Sequence, residues 1–186
     1  MSNLTDFFPS GGGGLTPKFE EFNAAGTFTP TQALIDAGGY IEVFLVGGGG
    51  SSSNNGYGGA GGEVRIKRMY LTSVASCTIL IGAGSIGGAG GTSVFSGGAA
   101  GGASFSSLGG TNNGLQNAHY GASFGAYTGG TLGSTAGSGV NGYGAGGGNA
   151  SNGNKGGVYI GANNSGQGAS VNQQSGSGYC LIKWYE

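Results

Sequence analysis

The stretch "CTILIGAGSIGGAGG", residues 77–91, decides how the whole chain is read. A β-branched run feeds into Gly82, Gly84 and Gly87, spaced as G-x-G-x-x-G. That spacing marks a dinucleotide site when a helix follows and an acidic residue lies about 20 positions further on. Here the continuation is "GGAGGTSVFSGGAAGGASF", too glycine-rich to form that helix, and no Asp or Glu stands between Glu63 and Glu186. The motif is present without its context, and no cofactor is expected.

Short β-rich runs separated by glycine turns lie on either side. "KFEEFNAAGTFTP" carries Phe19, Phe22 and Phe28 and is closed by Pro30; "LIDAGG" reads as a turn leading into "YIEVFLV", residues 40–46. "EVRIKRMYL" alternates, with Val64, Ile66 and Met69 set against Arg65, Lys67 and Arg68. "SCTILI" and "GTSVFS" follow, and the final "GYCLIKWYE" brings Trp184 back to the same sheet. These runs predict an all-β protein, a small antiparallel sheet or sandwich over residues 18–95 and 179–186, with little or no α-helix.

Residues 96–178, previewed by "GGGGSSSNNGYGGAGGE" at 47–63, hold Gly, Ser, Asn, Ala and Thr with single apolar residues at intervals. Ordering each glycine costs about 0.5–1 kcal/mol more than ordering alanine, and the chain has 49 of them. Extended left-handed segments of three residues per turn, lying side by side, can offset that cost. Such a backbone makes no internal hydrogen bonds, so each N–H is free to meet a C=O on the next segment. A polyglycine-II-like packed region is therefore expected over 96–178.

Composition excludes several functions. Only 7% of the 186 residues are charged, and the net charge of −1 gives no footprint for nucleic acid. No apolar run approaches the roughly 20 residues of a membrane span. "MSNLTDFFPSGGGG" has no basic segment ahead of an apolar one, so no signal peptide is expected. Cys77 and Cys180 lack CxxC partners and read as free core cysteines, with a disulfide as the alternative. His119 is the only histidine, and no Asp or Glu lies in its zone. No acid–base pair, triad or metal site is legible, and the chain is not expected to be an enzyme. Residues 1–17 read as an attachment peptide and spacer. Leu4, Phe7 and Phe8 sit ahead of Gly11–Gly14, either as a frayed terminus or as a plug that docks on a partner.

"FNAAGTFTP", "YIEVFLVGGGG", "GGEVRIKRMYL", "CTILIGAGSIGGAGGTSVF" and "GYCLIKWYE" together resemble the glycine-rich domain of bacteriophage tail-fibre and tail-tip proteins, over roughly residues 19–186. More distantly the chain is similar to tail-fibre adhesins with stacked polyglycine-II helices, though without their substantial N-terminal attachment domain. The opening "MSNLTDFFP" resembles the start of some phage structural proteins.

The resemblance implies a virion protein assembled in a host cytoplasm. Its expected role is a short fibre or tip adhesin that is held to other virion proteins by residues 1–17 and presents loops to a host-surface receptor, protein or glycan. Within "NNGLQNAHYGASFGAYTGG", residues 112–130, Asn117, His119, Tyr120 and Tyr127 are the candidate contacts, with Tyr57 and Tyr143 as weaker ones. The alternative for these aromatic residues is shielding a thin core. A homo-oligomer is expected, a trimer by analogy with fibres. The other readings are a capsid or tail decoration protein without receptor binding and, more remotely, an ice-binding protein.

Overall fold

The computed structural model describes residues 14–51, 59–98, 104–112 and 174–186. Strands β1 (Pro17–Phe22), β8 (Tyr179–Tyr185), β3 (Tyr40–Val46) and β4 (Val64–Tyr70) form one antiparallel sheet in that order. The second antiparallel sheet runs β2 (Gly26–Phe28), β5 (Cys77–Leu80), β6 (Ser93–Gly97), β7 (Phe105–Ser107). The all-β sandwich expected from the strand runs is present.

Alternation along the strands selects the core. In "YIEVFLV", Ile41, Val43 and Leu45 turn inward and join Phe22, Cys180, Ile182 and Trp184 of the same sheet. Opposite them lie Phe28, Cys77, Ile79, Phe95 and Phe105 of the second sheet. The ring of Trp184 meets Phe28 edge-on, with centroids 5.3 Å apart. Phe44 and Val46 point to the outer face and cluster with Val64 and Tyr179. Strand β3 is thus buried on both sides from Val43 to Val46, which explains the continuous apolar run there. Cys77 and Cys180 form no disulfide and are buried, as expected of core cysteines.

Three local features differ from the sequence reading. The segment taken as a turn begins with a one-turn helix, α1 (Gln32–Asp36). Thr31 Oγ1 caps it by accepting from Leu34 N at 3.0 Å, and Leu34 drops into the core. Gly39 N reaches Leu34 O at 2.8 Å and Gly38 N reaches Ile35 O at 2.9 Å, with both glycines at positive φ. This is a Schellman stop, and a Cβ on Gly39 would lie 1.9 Å from Leu71 O.

Met69 does not share a face with Val64 and Ile66. It opposes Ile41 in the ladder and packs on the inter-sheet core, so the period of two puts Arg65 and Lys67 on its side. These two cations sit over the Phe105 ring at the sandwich rim, 5.2 and 5.7 Å from its centroid. Arg68 is on the outer face instead, 2.8 Å from Glu42 directly across the ladder. Finally, β7 and the end of β6 fall within 96–178, so strand persists into the range read as glycine lattice.

Candidate functional site

Six strands run on into short glycine-rich segments, and all six do so at the same end of the sandwich. Residues 47–51 continue β3, 82–85 continue β5 and 108–111 continue β7, whereas 59–63 lead into β4, 88–91 into β6 and 175–178 into β8. The polypeptide enters β1 at the opposite end, where Thr16 pairs with Glu186 beyond the last residue of β8.

The hub is Gly47–Ser51, and its hydrogen bonds rotate with a period of three. Gly47 N and Gly50 N donate to Glu63 O and Ala60 O, at 3.0 and 2.9 Å. Gly48 N and Ser51 N donate to Gly91 O and Gly88 O, both at 2.8 Å, and Gly49 N donates to Gly176 O at 2.8 Å. As the donor advances by three, the acceptor retreats by three on an antiparallel neighbour. That is the signature of a threefold extended helix bonded only to other segments. Further links close the array: Gly110 N to Gly48 O, Gly90 N to Gly110 O and Gly91 N to Ala83 O, each at 2.8 Å. The polyglycine-II-type packing expected from composition is therefore present. Its hub lies at 47–51, ahead of the 96–178 range assigned to it, which supplies residues 108–111 and 174–178 among the described ones.

Close approach explains the composition. A Cβ on Gly48 would lie 2.1 Å from Ala83 O, and one on Gly50 2.1 Å from Thr111 O, both rigid backbone atoms. Serine enters where its hydroxyl replaces a main-chain link. Buried Ser93, at the joint between β6 and the lattice, accepts from Gly82 N at 2.9 Å and donates to Val46 O at 2.6 Å. Ser175 Oγ accepts from Ser85 N at 2.7 Å and donates to Gly49 O at 2.5 Å. Glu63 ties the lattice to β7, its Oε2 accepting from Leu108 N at 2.9 Å. The G-x-G-x-x-G glycines are absorbed here as well. Gly82 N is taken by Ser93, a Cβ on Gly84 would lie 2.1 Å from Ser175 O, and Gly87 turns the chain at φ +63°.

The outer end of the lattice is the candidate site. Its one connection within the described residues is the tight turn Ser85–Gly88, where the Ser85 hydroxyl donates to Gly88 O and Ile86 is 64% exposed. Residues 52–58 join 47–51 to 59–63, and 113–173 join 108–112 to 174–178. Tyr57, Asn117, His119, Tyr120, Tyr127 and Tyr143 lie in those stretches, outside the described residues, as do Leu4, Phe7 and Phe8.

Among the described residues, the ionisable groups with displaced pKa values belong to the first sheet and its C-terminal end. Burial, and secondarily the charge of Glu20, pushes the Cys180 thiol up to about 12, so it stays protonated at neutral pH. Burial also raises the Glu20 carboxyl. Hydrogen bonds from Thr31 and then Trp184 hold the Glu186 carboxyl below its ordinary range. Among the described residues no three His, Cys, Asp or Glu side chains are grouped to hold a metal, and no helix is long and apolar enough to cross a membrane.

Comparison with known proteins agrees with this construction. The family model described as a glycine-rich domain matches residues 22–185, from the end of β1 to the end of β8. No curated protein matches the chain.

Proposed function

Since the chain belongs to the glycine-rich domain family, we propose that it is a non-enzymatic phage virion protein, a short tail fibre or tip adhesin that engages a host-surface receptor. The observation that carries this reading is the polarity of the fold. The chain enters at one end of the sandwich, and the six lattice segments extend from the other. Attachment through residues 1–17 then leaves the lattice end facing outward. There a cross-bonded backbone supplies a stiff base for connections free to vary in sequence. Tyrosine, asparagine and histidine suit such contacts, because Tyr offers area at low entropic cost and amides adapt by hydrogen bonding.

The test is adsorption of labelled, purified protein to a panel of bacterial hosts. Saturable binding to at least one host is expected, with loss in the Tyr120→Ala/Tyr127→Ala double variant. Undiminished binding by a folded double variant removes those tyrosines from the site. Absence of binding to any host, together with retention on isolated particles, replaces the adhesin reading with that of a decoration protein.

A further inference from the structure

The two sheets end in four strand edges: β1 and β4 on one, β2 and β7 on the other. Three of these are blunted. β2 and β7 are three residues long, and the Arg65 guanidinium occupies the Ser106 carbonyl on β7 at 2.8 Å. β4 carries Arg65, Lys67 and Arg68, so a second β4 brought alongside meets like charge.

β1, "PKFEEF", is different. It has six residues, most of them exposed, and Phe19 is 69% exposed. Its free groups follow from its pairing. Thr16 and Glu186 exchange both hydrogen bonds, at 2.6 and 3.1 Å. Alternation therefore turns the N–H and C=O of Lys18, Glu20 and Phe22 toward β8. Those of Phe19 and Glu21 point outward, together with the C=O of Pro17, and no strand among the described residues takes them.

We propose that two copies of this chain pair β1 to β1, antiparallel about a twofold axis centred on Phe19, so that the four-stranded sheets of the two copies become one continuous sheet. The sequence of the edge admits this register and rejects its neighbours. With Phe19 opposite its counterpart, the two residues exchange both outward hydrogen bonds and bury each other's rings. Glu21 N–H then faces the Pro17 C=O, so the missing proline N–H costs one bond per chain. Lys18 falls directly opposite Glu20, twice by symmetry, as complementary charges. Centring on Glu21 instead sets two carboxylates face to face, and centring on Pro17 leaves both central N–H groups absent. Pro17 and the edge charges, which ordinarily discourage pairing, here permit a single self-complementary register.

The experiment is the mass of the full chain in solution by sedimentation or light scattering. A species of twice the 17.9 kDa of one chain is expected. Glu21→Pro removes an outward N–H and none of the hydrogen bonds to β8, and it should give the single-chain mass with an unchanged β circular dichroism signal. Lys18→Glu alone and Glu20→Lys alone should each weaken the dimer by about tenfold, and the double reversal should recover it. A single-chain mass for the wild type at the highest concentration overturns the proposal. A trimer does so as well, since a twofold contact closes at two, and so does a folded Glu21→Pro variant that remains dimeric. If Glu21→Pro fails to fold, the charge-reversal series decides alone: no recovery in the double variant overturns the pairing.

Discussion

Six of the eight strands of the sandwich run on into the lattice, yet the two regions hold together by opposite means. In the sandwich, side chains such as Phe95, Ile79 and Ile182 fill the space between two sheets and are wholly buried. In the lattice the side chain is dispensed with, and the main chain of Gly48 bonds across to Gly91 and Gly110. One region is stabilised by what its residues add to the backbone, the other by what they leave out. A methyl group therefore has opposite worth on the two sides of Val46.

The largest effect should come from matched single-methyl changes. Gly48→Ala drives a Cβ to 2.1 Å from Ala83 O, which only a backbone shift can relieve. It should cost about 3–5 kcal/mol in denaturant melts, at the upper end of point mutations. Ile79→Val removes one methyl from the core and should cost about 1 kcal/mol. Gly14→Ala, with nothing within 4 Å of the added Cβ, is the neutral control. If Gly48→Ala proves as mild as Ile79→Val, the contrast between the regions fails. Ser93→Ala probes the joint. It strips a partner from both Gly82 N and Val46 O and should cost about 2 kcal/mol, between the two methyl changes. Ser93→Thr, which keeps the hydroxyl, should recover part of that if the cost is the lost bridge.

The smallest effect concerns the end remote from the lattice. Glu186 has a carboxyl held below its ordinary value of 4.5 by hydrogen bonds from Thr31 and Trp184. The stability it contributes is complete above that value and is lost as pH falls through the lowered one. Glu20, raised by burial, runs the other way and gains as pH falls, so the wild type alone mixes the two. The stability difference between wild type and Glu186→Gln isolates Glu186, and it should shrink toward zero on acidification. A difference independent of pH would remove the carboxylate from the account.

Much of the sandwich was legible because its signals are local. "YIEVFLV" and "GYCLIKWYE" alternate or run apolar in ways only a strand explains, and Trp184 does return to the first sheet. Helix α1 is not legible as a helix because five residues carry no period. Its signal was the pair of stops, Thr31 ahead and Gly38–Gly39 behind. The lattice is legible as a kind of packing, but its hub, Gly47–Ser51, precedes the 96–178 range expected for it, which contributes residues 108–111 and 175–178 among the described ones. Among the described residues, membership goes with adjacency to a strand end, as at Gly47–Gly50 immediately after Val46. No sequence signal distinguishes buried Ser93 and Ser175 from other serines, since nothing in a single sequence shows which backbone groups a hydroxyl will bridge. The tyrosines proposed for the receptor sit in stretches where composition, without periodicity, is the only guide.

The rotation of partners by threes sets a rule for growth. A segment lengthened by one or two residues presents its amides to the wrong neighbours, whereas three more residues restore every partnership one turn further out. Projection from the sandwich is therefore quantised in steps of about 9 Å. Each step requires equal insertions in the surrounding segments. Reach, in such a molecule, is inherited in whole storeys.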